Sequence, residues 1–269
     1  MTQVMKFIHL TDTHLVGDGG ELYGLNPHTR LQQALAHMCQ HQPDAQALVV
    51  TGDLTHLGHP QAYAYLRECL AALAMPVHLI LGNHDSRSNF LDHFPQTRID
   101  SNGFVQYVED FGPYWAIFLD TNQPGVHWGA FCERRADWLR ERLEEAEKPV
   151  LLFMHHPFFA IGIGTMDDIS LRDTEHFMRA IKGHEHRLQH VFFGHIHRPI
   201  NGSFRGIAFS TLRGTNHQVS LALSANTTAD IHGSHEPPQY GVVLLSADQV
   251  TVHLEDYLDS SLRFPLGAK

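Results

Sequence analysis

Short apolar segments alternate with amphipathic segments along the first third of the chain. Three apolar runs, at residues 6–10, 47–50 and 77–81, show little of the polar alternation of a half-exposed strand. Between them, residues 28–41 and 60–74 carry apolar side chains three and four positions apart, which predicts helices. The order β-α-β-α-β indicates a parallel sheet that is covered by helices on both faces.

The later part of the chain keeps the short apolar runs but loses the helices toward its end. Further strands are predicted at residues 104–108, 115–119, 150–154, 191–193, 206–211, 218–223, 241–245 and 250–254. Further helices are predicted at residues 86–94, 133–146 and 173–182. Because the last four strands have no helix between them, we expect this half to be more antiparallel.

The chain shows no internal repeat, so one domain, 1–269, is expected. Residues 224–239 are polar and resemble a loop. This segment, within a region 220–269 that could contribute to a lid or an oligomer contact, is the least defined part of the prediction.

Composition and charge narrow the class of protein. The 269 residues include no apolar run of about 18 residues, the length needed to span a membrane. No signal peptide is visible in the sequence. The three cysteines, Cys39, Cys69 and Cys132, are scattered, which does not suggest a disulfide framework. The net charge of −10 disfavours extended nucleic acid as a partner, because a duplex-binding surface must be basic. A cytoplasmic protein without a membrane partner is expected.

Five predicted strand ends carry side chains that can bind metal ions. These are Asp12 and His14, Asp53, Asn83 and His84, His155 or His156, and His195 with His197. Residues i and i+2 of an extended segment point the same way, so Asp12 with His14, and His195 with His197, are expected to face one centre. With 23 histidines in the chain, a single histidine is weak evidence, but the combination of all five strand ends is strong.

The donor set indicates the type of metal site. It contains carboxylate or amide oxygens and imidazoles but no thiolate, which suits divalent Fe, Mn, Zn or Co. Seven or eight donors exceed the four to six that one ion needs. Two ions that share a carboxylate are therefore expected, with Asp53 as the best candidate for the bridge.

Taken together, these motifs resemble the calcineurin-like metallophosphoesterase superfamily. They are Asp12-x-His14, Gly52-Asp53, Gly82-Asn83-His84-Asp85, His155-His156-Pro157 and Gly194-His195-x-His197. Within it, residues 6–220 look like the group of class III cyclic-nucleotide phosphodiesterases and bacterial glycerophosphodiesterases. The resemblance implies a four-layer αββα sandwich, with two mixed sheets flanked by helices.

The resemblance also implies two metal ions and the residues that bind them. Asp12, His14 and His197 would bind one ion, and Asn83, His155 and His195 the other. Asp53 would bridge the two ions, and His156 would lie outside the ligand set. The implied activity is a metal-dependent phosphodiesterase, in which a metal-bridging hydroxide attacks a small phosphodiester.

The substrate is left open by these motifs. A glycerophosphodiester is the first expectation and a 3',5'-cyclic nucleotide the alternative. A nuclease is less favoured because there is no basic groove, and a non-catalytic scaffold because every ligand position is filled. A diester is favoured over a monoester because the motifs themselves contain no Arg or Lys that could bind a dianion.

The same resemblance implies roles for two histidines. His84 is expected to stabilise the transition state or to donate a proton to the leaving group, and its sequence neighbour Asp85 to orient it. His84 and His217 are candidate substrate-binding residues, and Arg213 is a third because it is near a site loop in sequence. Residues 166–168, on the loop after Pro157, could line the pocket. The resemblance further suggests a homodimer or a higher homo-oligomer.

Overall fold

Two β-sheets form the middle layers of the fold. The computed structural model describes residues 5–172, 174–223 and 231–267. The strands are β1 Met5–Leu10, β2 Ala47–Thr51, β3 Val77–Ile80, β4 Tyr107–Phe111, β5 Tyr114–Phe118, β6 Val150–Met154, β7 Leu188–Phe193, β8 Asn201–Phe204, β9 Ile207–Ser210, β10 Gln218–Val219, β11 Gly233–Ser234, β12 Tyr240–Ser246 and β13 Gln249–Glu255. The helices are α1 Pro27–His41, α2 Pro60–Ala71, α3 Arg87–His93, α4 Glu133–Glu145, α5 Gly164–Asp167 and α6 Thr174–Ile181.

Both large sheets are mixed and have a parallel part. The first sheet has the order β13-β12-β1-β2-β3, in which β1, β2 and β3 are parallel and β12 and β13 are antiparallel. The second has the order β4-β5-β6-β7-β9-β8, with antiparallel strands at its two edges. The parallel strands place their carboxyl ends at one edge of each sheet, where ligands of α/β proteins bind.

Aromatic rings fill the layer between the two sheets. Phe7 of β1 lies edge-to-face against Phe111, Phe153 and Phe192 of the second sheet, with ring centroids 5.3, 5.7 and 5.6 Å apart. All four rings are buried, and each contributes on the order of 1.5–3 kcal/mol through loss of contact with water. This packing fixes the position of one sheet on the other.

Helices cover the outer faces of the sheets. Asn26 caps α1 by accepting a hydrogen bond from the Thr29 amide (2.9 Å), and Pro27 occupies the first helical turn. The apolar face of α1 packs into the core of the first sheet, whereas α4 and α6 pack in a separate core on the second sheet. The predicted α/β sandwich of two mixed sheets flanked by helices is confirmed.

Several predicted elements have different bounds. The strand expected from residue 104 begins at Tyr107, because the Asp100 carboxylate accepts hydrogen bonds from the amides of Asn102 and Phe104 and folds this segment into a turn. The strand expected at 218–223 ends at Val219, and the exposed edge strand β8 was not predicted.

Two predictions extend beyond the described residues. The predicted helix start at residue 173 and the first part of the polar segment, residues 224–230, lie outside them. Within the part of the chain that the structure describes, no helix has the length and apolar character to cross a membrane.

Candidate metal centre

The predicted donor pairs lie in left-handed backbone, not in extended backbone. The φ angles are +53° at Asp12, +46° at His14, +69° at His195 and +52° at His197. The structure brings these side chains to one edge, but the expected reason, alternation along a strand, is wrong. Such a conformation costs about 1–3 kcal/mol for each residue, so neighbouring contacts must stabilise it. The His14 amide, for example, donates a hydrogen bond of 2.8 Å to the Asp53 carbonyl.

The first group of donors contains Asp12, His14, Asp53 and His197. All four side chains are buried, and their potential ligand atoms lie within 4.8 Å of one another. The Nε2 atom of His197 is 3.2 Å from Asp12 Oδ1 and 3.2 Å from His14 Nε2. His14 Nε2 is in turn 3.6 Å from Asp53 Oδ2. These atoms therefore surround a space of the size that one cation requires.

The second group adjoins the first through Asp53. His155 Nε2 is 3.3 Å from Asp53 Oδ2 and 3.3 Å from Asn83 Oδ1. His195 belongs to a buried group with His155 and His156, and among the described residues its Nε2 atom has no hydrogen-bond partner. Because Asp53 Oδ2 faces both groups, this atom occupies the position that a bridging ligand requires.

Glycines allow the loops of the centre to approach one another closely. A Cβ atom at Gly82 would lie 2.1 Å from Asp53 Oδ1, and one at Gly194 would lie 2.4 Å from the Thr51 carbonyl. Real Cβ atoms do not approach other atoms so closely. Both positions therefore require glycine.

Without a bound cation, the buried Asp53 carboxylate favours a proton on His155. Burial lowers the pKa of His155, but the Asp53 carboxylate outweighs this effect and raises the pKa to about 9. Burial lowers the pKa of His14 and of His195 well below the ordinary value, which favours neutral imidazoles that can bind metal. A cation bound beside Asp53 would therefore displace the proton of His155. Carboxylates, an amide oxygen and neutral imidazoles fit two divalent cations.

Two of the predicted ligand histidines are oriented through their second ring nitrogens. The Nδ1 atoms of His155 and His197 each lie 2.7 Å from a backbone carbonyl, of Thr51 and His217 respectively. Such contacts fix the ring and its tautomer in metal sites. The His156 ring differs, because both its nitrogens have other partners, Thr121 Oγ1 at 2.8 Å and the His127 carbonyl at 3.3 Å. Neither ring nitrogen of His156 is therefore free to bind metal, although the ring lies close to the donor groups.

A cavity of about 740 Å³ opens over the two groups of donors. Its lining includes His84 and His217, both predicted at the substrate, together with Met166. The Nδ1 atom of His84 lies 2.8 Å from the His56 carbonyl, and the His84 ring is 4.8 Å from the His14 ring. The cavity is therefore continuous with the donors and bordered by imidazoles.

Asp85, a predicted catalytic residue, does not contact the His84 side chain through its carboxylate. The Asp85 carboxylate accepts hydrogen bonds from the amides of Leu54, Thr55 and Gly82 and from the Tyr63 hydroxyl. The expectation that Asp85 orients His84 is therefore wrong, since its oxygens hold the turn itself.

Arg213 does not line the cavity. Its guanidinium lies 3.1 Å from Glu236 and 3.4 Å from Asp256, so both neighbouring carboxylates neutralise it. The prediction that Arg213 binds substrate is wrong. Its nearness in sequence to a site loop does not show which groups its side chain contacts.

Three residues at or beside the cavity were not predicted. Tyr23 and His127 line it, with His127 Nδ1 3.4 Å from the Asn83 side-chain amide. His56 does not line the cavity, but its ring stacks on that of His84. His56 follows the Gly52-Asp53 motif by three positions, which is the only sequence signal for it. Nothing around His127 in the sequence distinguishes it from the other histidines.

The fold and the donor set define a metal-dependent phosphoesterase. Residues 5–199 match the model of the Calcineurin-like phosphoesterase family, and the chain belongs to this family. The predicted class, a hydrolase of phosphate esters, is confirmed by this match.

Three similar proteins illustrate the relationship. A "probable cyclic nucleotide phosphodiesterase" of Rhodopseudomonas palustris is 42% identical, over 93% of this chain and 91% of its own. The glycerophosphodiester phosphodiesterase GpdQ of Enterobacter lignolyticus is 31% identical, over 80% of this chain and 79% of its own. Among solved structures, a dimetal phosphatase from Danio rerio has the same fold, with a TM-score of 0.70, 16% identity and coverage of 95% of this chain and 97% of its own.

Proposed function

We propose that the protein hydrolyses small phosphodiesters, with 3',5'-cyclic nucleotides as the first substrate class and glycerophosphodiesters as the second. The observation that carries the choice of a diester is the lining of the cavity, which contains no Lys or Arg among the described residues. A monoester dianion brings more negative charge than a diester, so it requires more compensating positive charge. Here that charge would come from bound cations alone.

The two groups of donors would hold the cations. Asp12, His14 and His197 belong to one site, Asn83, His155 and His195 to the other, with Asp53 Oδ2 between them. Two divalent ions, Fe, Mn, Zn or Co by the donor chemistry, would bind the phosphoryl oxygens and lower the pKa of a water molecule. This assignment is supported by the distances within each group and by His195 Nε2, which has no hydrogen-bond partner in the described part of the chain.

His84 is the proposed catalytic histidine. Its Nδ1–H donates to the His56 carbonyl at 2.8 Å, which leaves Nε2 as the nitrogen available to the substrate. From that position it would stabilise charge on the phosphoryl group or give a proton to the leaving alkoxide. His217, which lines the cavity beside the His14 and His197 rings, would contact the substrate next to the first donor group.

Two observations support proposing cyclic nucleotides as the first substrate class. The relative at 42% identity carries that activity in its name, and it matches nearly the whole chain. The cavity wall also combines Tyr23 with the apolar side chains of Met166, Ile169 and Val219, a surface that suits a nucleobase. Glycerophosphodiesters are supported by the similarity to the E. lignolyticus enzyme, at a lower identity.

The proposal is tested by comparing substrates with one enzyme preparation loaded with Mn(II). We expect kcat/KM for cyclic AMP or cyclic GMP to exceed that for glycerophosphoethanolamine, and bis(p-nitrophenyl) phosphate to be hydrolysed faster than p-nitrophenyl phosphate. Metal-free protein is the control and should be inactive on all of them. Faster hydrolysis of the monoester would overturn the proposal. The proposed homodimer or higher oligomer is tested separately by sedimentation.

A further inference from the structure

His56 lies between a proposed metal ligand and the proposed catalytic histidine. Its ring stacks on the His84 ring, with centroids 4.9 Å apart and planes at 18°. Its Nδ1 atom lies 3.4 Å from the Nδ1 atom of His14. Its own carbonyl accepts the hydrogen bond from His84 Nδ1. One residue therefore contacts both functional side chains through different atoms.

The backbone of His56 is held in place independently of its ring. The His56 amide donates a hydrogen bond of 2.9 Å to the Leu15 carbonyl, next to a bridge between Leu15 and Thr55. The side chain is half-buried at the edge of the centre. Replacing the ring should consequently leave the carbonyl that accepts from His84 where it is.

The contact with His14 has a defined direction. His14 Nε2 faces Asp53 and His197 and is therefore the nitrogen that would bind metal. A neutral His14 that binds metal through Nε2 carries its proton on Nδ1. That proton points to His56 Nδ1, which must then accept. His56 Nδ1 would therefore accept a hydrogen bond from the ring of His14, as backbone carbonyls accept from the rings of His155 and His197.

We propose that the His56 side chain is a positioning residue with two separable contacts: its Nδ1 orients the metal ligand His14, and its ring orients His84. This inference rests on the proposed function for its catalytic half. The metal-binding half stands on the His14 contact alone. His56 itself is not placed against the reacting atoms.

Two single replacements separate the contacts. His56→Phe keeps a flat ring that stacks on His84 but removes the acceptor for His14. His56→Asn keeps an acceptor near the position of Nδ1 but removes the stacked ring, and His56→Ala removes both. The readouts are Mn(II) affinity by equilibrium dialysis, and kcat and KM on bis(p-nitrophenyl) phosphate at saturating Mn(II).

The two contacts predict different losses. His56→Phe should weaken Mn(II) binding by about tenfold or more and keep kcat near wild type once metal is saturating. His56→Asn should keep the metal affinity but lower kcat by about tenfold, with KM changed less, because His84 is misplaced. His56→Ala should show both losses. In a His84→Ala background, His56→Asn should lower kcat no further.

A matched stacked pair outside the centre provides the control. The His28 ring stacks on Tyr65 at 3.8 Å and 19°, so His28→Ala removes a comparable contact and should change neither readout. Wild-type values for His56→Ala in both assays would overturn the inference, as would identical losses for the Phe and Asn variants. A wild-type enzyme without diesterase activity would instead refute the proposed function, while the metal-affinity comparison would still test the His14 contact.

Discussion

The side-chain amide of Asn122 donates a hydrogen bond of 2.6 Å to the carbonyl of Gly82. The same nitrogen lies 3.0 Å from the carbonyl of Asp85. One buried side chain, on the loop after β5 of the second sheet, thus holds both ends of the turn that carries Asn83 and His84. The position of these two residues over the centre depends on the packing of one sheet on the other.

Replacing Asn122 with Ala should therefore affect both stability and metal binding. The change leaves two buried carbonyls without this donor, which costs about 1–3 kcal/mol in the free energy of unfolding. Urea unfolding of metal-free protein measures this loss, and Mn(II) affinity reports the looser position of Asn83. Asn201→Ala, at an exposed position on β8, is the control. Unchanged unfolding and metal affinity in Asn122→Ala would show that other contacts hold the turn.

Gly82 is expected to tolerate no side chain. In Gly82→Ala the new Cβ would meet Asp53 Oδ1 at 2.1 Å and the Asp53 amide at 2.4 Å, so the turn or the carboxylate must move. We expect loss of bound metal and of activity, measured by elemental analysis and diester hydrolysis. Gly164→Ala is the control, because a Cβ there meets nothing within 4 Å. A Gly82→Ala enzyme with full metal content would mean that the carboxylate is not fixed by this contact.

Asp53→Ala should reduce the number of bound metal ions, because Asp53 Oδ2 faces both His14 and His155. Elemental analysis after gel filtration counts the ions for each chain. Asp110→Ala removes a carboxylate from an exposed ion pair with Lys148 and should leave that number unchanged. Two ions retained by Asp53→Ala would exclude the bridging role.

His84→Ala should keep the metal ions and lose most of the turnover. Loss of a proton donor of this kind lowers kcat by on the order of 10²–10⁴. Asp85→Asn provides the contrast, since Asp85 accepts its hydrogen bonds from the turn and from Tyr63 and should act mainly on stability. The measurements are kcat and metal content for both variants. Equal turnover in wild type and His84→Ala would remove His84 from the mechanism.

The sequence predicts the location of the centre well because that location depends on local patterns. Buried parallel strands are visible as short apolar runs, and Asp53 and Asn83 follow two of them within three residues. The carboxyl ends of neighbouring parallel strands must meet, whatever the later packing. The positions of the predicted strand ends alone therefore indicate that the donors at all five ends lie in one group.

What the sequence does not show is how each side chain is held. The amides of Asp12 and His14, both in left-handed backbone, donate hydrogen bonds to the carbonyls of Gly52 and Asp53 in the loop after β2. Asp85 stands beside His84 in sequence, yet its oxygens point to other amides. These directions arise from tertiary contacts, and no periodicity in the chain encodes them.

Two buried histidines away from the centre should make the free energy of unfolding depend on pH. Burial lowers the pKa of His9 to about 3, with a smaller effect from His190, and burial lowers the pKa of His190 to about 4. Their neutral rings pair with Thr51 Oγ1 and Ser210 Oγ, each at 2.8 Å. The unfolded chain takes up these protons near pH 6.5, whereas the folded protein does not. Stability is therefore lost as the pH falls from 6.5 toward 4, and it is fully present above 6.5.

The double variant His9→Gln, His190→Gln keeps polar groups at both positions and removes both titrations. Each histidine contributes a slope of about 1.4 kcal/mol per pH unit below pH 6, so the wild type should lose stability faster than the variant by about twice that amount. Urea unfolding of metal-free protein at pH 5, 6 and 8 measures the difference, since the histidines of the centre contribute equally to both proteins. Parallel pH profiles for the two proteins would show that these rings are protonated within the folded state.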